Sequence, residues 1–129
     1  MILSIDLNSE TPIYSQICNQ IIKAIAKGQL KEGDELPSVR SLASDVGVNL
    51  HTVNKAYNAL KADGFLIVNR RKGVVVNNKE AYQSTEAYET ALHSQLEILV
   101  IESIARGLES SKLDEMITRI IEETKGGLS

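Results

Sequence analysis

Residues 37–64 read PSVRSLASDVGVNLHTVNKAYNALKADG, and the fold turns on them. Val39, Leu42, Ala43 and Val46 fall at i, i+3, i+4 and i+7, and Val53, Ala56, Tyr57 and Leu60 repeat the spacing. Each set draws one apolar stripe along a helix. Ser38 after Pro37 is a good N-cap for the first helix. Gly47 stands where that helix must stop, because its C-terminal cap favours a left-handed residue. Asn49 then opens a second helix and Gly64 closes it. Two short amphipathic helices with a glycine turn between them outline a helix-turn-helix. Such a pair places the start of its second helix where side chains reach base edges in a major groove.

A basic hairpin comes next. Phe65 to Val68 read as one strand and Val74 to Val76 as the other. Between them lie Asn69, Arg70, Arg71, Lys72 and Gly73. Three adjacent cations on a turn repel one another, so folding alone does not favour them, whereas a phosphate backbone does. Helix pair and basic hairpin together point to double-stranded DNA as the partner.

The stretch from Pro12 to Val76 resembles the winged helix-turn-helix domain of GntR-family transcription regulators. The residues that carry the resemblance are PIYSQICNQIIKAIAKGQL, the GDELPSVRSLASDVGVN run, TVNKAYNALKADGFL and the RRKG wing. The short remainder is similar to the YtrA-type subfamily, whose members carry a small helical dimerisation segment in place of a large effector domain. The resemblance implies a regulator, in most cases a repressor, and control of a neighbouring transport operon. It also implies that Arg40 touches phosphate or base. Many members have an arginine after the second helix's cap, where this chain has Leu50. Many have glycine where Arg71 stands, so a positive φ at that position would strain this wing.

Composition sets the remaining bounds. A chain of 129 residues is one domain, or a small domain with an appendage. No apolar run approaches the ~20 residues that span a bilayer, and MILSIDLNSE lacks the basic start of a secretory signal. A single cysteine, Cys18, excludes an intramolecular disulfide framework and reads as packing rather than a redox sensor. A cytoplasmic location, with no membrane partner, is the expectation. The net charge of −3 divides unevenly. Residues 1–78 hold nine Lys/Arg against seven Asp/Glu, and residues 79–129 hold five against ten. The acidic part belongs away from DNA.

Along the chain, Pro12 is expected at the first position of an opening helix with Ile17, Ile21, Ala24 and Ile25 on its apolar face. Leu36 is expected to pair with the wing. Asn78 is a candidate cap for the segment after the wing. Residues 79–108 lack proline, and glycine until Gly107, and predict one long helix of about 40 Å. Tyr88, Leu92, Leu96, Leu99, Ile101, Ile104, Ala105 and Leu108 give it a wide apolar face, with Tyr88, Leu92, Leu96, Leu99 and Ile104 as the expected dimer contacts. A second helix is expected from Ser111, with Ser111 and Asp114 as a capping box. Its stripe is Leu113, Met116, Ile117, Ile120 and Ile121. Two such helices need a further surface to bury, and a two-fold copy supplies one.

The expected architecture is mainly α with a small β-hairpin. Residues 1–77 form the winged helix-turn-helix domain, and residues 78–129 a short two-helix dimerisation appendage. The expected DNA contacts are Ser38 and Arg40 from the first helix, and Asn49, Leu50, His51, Thr52, Asn54 and Lys55 from the second. Arg70, Arg71, Lys72 and Gly73 add the wing. Asn54 suits adenine, Leu50 a thymine methyl, and Lys55 phosphate. A homodimer would read an inverted repeat with half-sites about 10 bp apart or somewhat more. No catalytic residue and no cofactor is expected, since no phosphate loop, nucleophile elbow or carboxylate pair is present. His51 and His93 lack ligand spacing, so no metal is expected. A small-molecule effector, if one exists, would bind between protomers or between domain and appendage. Two other readings fit the same residues: a winged helix that binds protein, and a sensor whose chief activity is ligand binding.

Overall fold

The computed structural model describes residues 3–126 and divides into two units, one running to Tyr82 and one beginning at Gln83. In the first unit α1 spans Ile13–Ala26, α2 Val39–Val46 and α3 Leu50–Ala62. The strands β1 (Leu66–Asn69) and β2 (Gly73–Val76) pair antiparallel, with Leu66 opposite Val76 and Asn69 opposite Gly73.

The apolar stripes meet in one core. Ile17 and Ile21 of α1, Leu42 and Ala43 of α2, and Val53, Ala56, Tyr57 and Leu60 of α3 are all buried, with Leu36, Leu66 and Val76. Val39, Val46 and Ile25 pack at its edge. Fully burying one such side chain contributes about 1.5–3 kcal/mol, so the stripes hold the helix pair against the hairpin. Leu3 and Ile5 pack against the same core. The backbone of the residues following them, Ser4 and Asp6, is held by two glutamines one turn apart on α1. Ser4 N–H donates to Gln20 Oε1 at 2.9 Å and Gln20 Nε2 donates back to Ser4 O at 2.7 Å. Asp6 N–H donates to Gln16 Oε1 at 2.8 Å and Gln16 Nε2 to Asp6 O at 2.9 Å. The two side-chain amides thus act as a neighbouring strand would.

The caps agree with the sequence apart from small shifts. Ser38 Oγ accepts from Ser41 N–H at 3.0 Å, and Asn49 Oδ1 from His51 N–H at 2.7 Å. Gly47 caps α2 in the left-handed region. Pro12 sits at the N-cap of α1 rather than its first position, because its ψ of 147° is extended. Phe65 lies outside β1: its N–H donates to Leu60 O at 2.9 Å and closes the end of α3 with Gly64.

The expected helix over 79–108 is shorter. Asn78 Oδ1 accepts from Ala81 N–H and caps a single 3₁₀ turn, Lys79–Ala81. Tyr82 then stacks on Phe65, ring centroids 4.9 Å apart. That contact keeps residues 78–82 with the first unit and interrupts the helix. The chain turns helical again only at Thr85, whose Oγ1 accepts from Tyr88 N–H at 3.1 Å. The second unit is α4, Glu86–Ala105, about 30 Å long, and α5, Ser110–Gly126. Ser111 and Asp114 form no capping box, because α5 starts one residue earlier. Glu109 precedes it, its carbonyl accepting from Lys112 and Leu113 N–H, and Ser111 lies inside the first turn. Among the described residues no helix is long and apolar enough to cross a membrane.

Candidate nucleic-acid interface

The stripe that buries α3 fixes which side chains it presents outward. With Val53, Ala56, Tyr57 and Leu60 inward, His51, Asn54 and Lys55 lie on the exposed side. Asn58 shares that side, one turn beyond Asn54 and two beyond His51, and is exposed. Sequence reading missed it, although its i+4 and i+7 spacing was the available signal. Leu50 and Thr52 are half-buried at the flanks, and Leu50 packs against the core. Asn49 is exposed, but its Oδ1 already accepts the His51 N–H, which leaves Nδ2 free to donate. Lys55 Nζ stands 3.9 Å from the centre of the Tyr14 ring, so this cation is steered by α1. Tyr14 precedes Ile17 and Ile21 by three and seven residues and packs at the edge of the core, so the periodicity marked it as core while its role under Lys55 went unread.

Arg40 occupies the second position of α2 and is exposed; Ser38 beside it is engaged as the cap. Arg40 makes no ion pair with any described residue, and the same holds for Arg70, Arg71 and Lys72. Their charge is therefore uncompensated at the surface.

The wing's turn is folded by one side chain acting on the backbone. Asn69 Oδ1 accepts from Arg71 N–H at 2.9 Å and Lys72 N–H at 3.0 Å, which folds the turn while leaving the three cationic side chains free. The left-handed residue is Gly73, with φ of 80°; no other residue type among those described has a positive φ. Arg71 is thus unstrained. The outer edge of β2 is tied to the approach to α2. Leu36 N–H donates to Val74 O at 2.9 Å, and Val76 N–H to Asp34 O at 3.0 Å. The bridge residue is Glu35, opposite Val75.

Among the described residues two groups titrate away from their ordinary range. Burial pushes the Tyr57 phenol up to about 12. Burial and then the charge of Asp63 raise the Cys18 thiol, whose Sγ lies 3.5 Å from Ala56 O between α1 and α3. Both effects disfavour the thiolate.

In the second unit no residue of α4 or α5 is buried. Tyr88, Leu92, Leu96 and Leu99 form one stripe of α4, exposed, and Ile104 lies apart from it. Ile98 and Ile101, on the opposite side of α4 from that stripe, are 67% and 59% exposed; Ile98 was not among the expected contacts. On α5, Met116, Ile117, Ile120 and Ile121 are exposed and Leu113 is half-buried. His93 is exposed on α4.

Residues 13–76 match the family described as bacterial regulatory proteins, gntR family. The chain is 38% identical over 125 residues to the HTH-type transcriptional repressor YtrA of Bacillus subtilis, covering 97% of this chain and 96% of that one. The chain belongs to the gntR family. It is a DNA-binding transcription regulator with a winged helix-turn-helix. A crystal structure of a transcriptional antiterminator from Listeria monocytogenes is similar at a TM-score of 0.87 and 26% identity, covering 100% of this chain and 94% of that one. The AraR DNA-binding domain in complex with operator ORX1 is similar at a TM-score of 0.52 and 25% identity, covering 59% of this chain and 98% of that one. For a gntR-family regulator, α3 and the wing are the elements that bear the exposed polar and cationic groups described above.

Proposed function

We propose that the chain is a cytoplasmic repressor that binds an inverted-repeat operator as a homodimer. The observation that carries the reading is the set of unpaired cations, Arg40, Arg70, Arg71 and Lys72, beside an α3 surface of His51, Asn54, Lys55 and Asn58. In this reading the cations hold phosphate, His51 and Asn54 read base edges, and Ser38, Asn49, Leu50, Thr52 and Gly73 line the contact. Arg71 and Lys72 approach the minor groove or its phosphates. The name of the Bacillus subtilis relative supports repression. Residues 1–77 supply DNA binding and residues 78–129 pairing. Pairing is supported by α4 and α5, which leave Leu92, Leu96, Leu99, Met116 and Ile120 in water in a single copy. Control of a transport operon is the expectation that the YtrA-type resemblance carries.

The test is selection of bound sequences from a random DNA pool, followed by titration at two salt concentrations. Enrichment of an inverted repeat, with affinity that falls steeply with salt, supports the reading. Enrichment of a single half-site sinks the dimeric operator. Sedimentation of Leu99→Glu, expected as a monomer, checks the pairing surface independently.

A further inference from the structure

We infer that Tyr57 is a positioning residue for DNA reading: its hydroxyl, hydrogen-bonded to the Pro37 carbonyl, fixes the first turn of α2 against α3 and so places Arg40 relative to the reading surface. The inference rests on the proposed role of Arg40 at DNA.

Tyr57 belongs to the apolar stripe of α3 and is 0% exposed. A phenylalanine would fill the same volume with no polar atom. A buried hydroxyl is unfavourable unless it is bonded, and this one donates to Pro37 O at 2.8 Å, across 20 residues of chain. Its acceptor lies at a junction. Immediately before Pro37, the Leu36 N–H donates to Val74 O of the wing. Immediately after it, Ser38 caps α2 through Ser41 N–H. Arg40 lies two residues beyond the cap. The hydroxyl therefore joins α3, the start of α2 and the wing, which are the three elements that carry the exposed DNA-facing groups. Proline has no N–H of its own, so the carbonyl is the backbone group through which this residue can be held.

The experiment is a double-mutant cycle of Tyr57→Phe and Arg40→Ala in the full chain, read as affinity for the DNA enriched from the random pool. Tyr57→Phe is expected to weaken binding about tenfold, the size of effect that coupled neighbours show. In the Arg40→Ala background the same substitution is expected to change affinity less than about twofold. Two independent losses that multiply would overturn the inference, since Tyr57 would then act through overall stability. If Arg40→Ala alone leaves affinity unchanged, the reading of Arg40 fails first, and the inference with it. Amide exchange below the melting temperature gives a second measurement. In Tyr57→Phe the Ser41 N–H is expected to exchange faster while Ile21 N–H in α1 is unaffected. A uniform rise across both helices would also overturn the inference.

Discussion

Gly64→Ala is expected to destabilise the protein well beyond the ordinary cost of losing a left-handed glycine. Gly64 has φ of 88° and ends α3 by donating to Lys61 O at 3.0 Å. A side chain forced into that region costs about 1–2 kcal/mol. Gly47, at φ 71°, carries the same cost and nothing more, because a methyl there meets no atom within 4 Å. At Gly64 the methyl would drive into the Ala81 carbonyl, which is backbone and has no rotamer to relax into. The 3₁₀ turn must shift, and the Phe65–Tyr82 ring contact beside it is lost, worth about 0.5–1.5 kcal/mol beyond its buried area. The expected totals are about 1.5–3.5 kcal/mol for Gly64→Ala and about 1–2 kcal/mol for Gly47→Ala. Urea denaturation of both variants reads the difference. Chymotrypsin cleavage at Tyr82 locates it, and should accelerate only in Gly64→Ala. Equal destabilisation with unchanged cleavage would refute the reasoning, because the segment after the wing would then not be seated on the end of α3.

The same geometry sets two further outcomes. Replacing Arg70, Arg71 and Lys72 together by alanine should leave the melting temperature nearly unchanged, since all three are exposed and unpaired. The same variant should reduce the slope of log affinity against log salt by about 2.7 per bound copy at full contact, read by titration over a salt series. Tyr57 gives a pH dependence: below pH 10 both states hold the phenolic proton, and between about pH 10 and 12 only the folded state does, so stability falls as pH rises. The loss amounts to about 3 kcal/mol over that window and should be absent from Tyr57→Phe in denaturant titrations across it.

What the sequence revealed was local and periodic. The stripes of α1, α2 and α3 repeat at helical spacing; Ser38 and Asn49 mark helix starts with side chains suited to caps, and Gly47 and Gly64 mark helix ends with left-handed backbone. The contacts that escaped are polar and distant in sequence. Gln16 and Gln20 reach Asp6 and Ser4, and the Tyr57 hydroxyl reaches Pro37; no period announces such pairs. The interruption after Ala81 was hidden because neither glycine nor proline makes it. It comes from Tyr82 stacking on Phe65, and Thr85 then restarts the helix. Two adjacent serines left the start of α5 ambiguous by one residue, and the earlier one begins the helix. On the side proposed to face DNA, the residue types were legible but their prior commitments were not. Asn49 is engaged as a cap, Leu50 packs inward and Lys55 rests on Tyr14, which in the proposed reading concentrates the free reading groups on His51, Asn54 and Asn58.

That concentration bears on why pairing matters. With the boundary at Tyr82, the first unit holds ten Lys/Arg against eight Asp/Glu and the remainder four against nine. A surplus of two charges cannot hold a duplex by field strength, so in the reading proposed above binding depends on four local cations that have no ion-pair partner among the described residues. Four phosphate contacts give a salt slope of about −3.6, and a two-fold pair about −7. The bases offered to one copy are few, because three polar side chains specify only a short half-site. A second copy doubles both the cations and the sequence read. On the other unit, α4 carries apolar residues on two opposed sides, Leu92, Leu96 and Leu99 on one, Ile98 and Ile101 on the other, whereas α5 carries a single stripe. In a single copy no residue of either helix is buried, so both sides of α4 and the stripe of α5 are left uncovered. Together they supply, in the reading proposed above, the surface that brings the second copy.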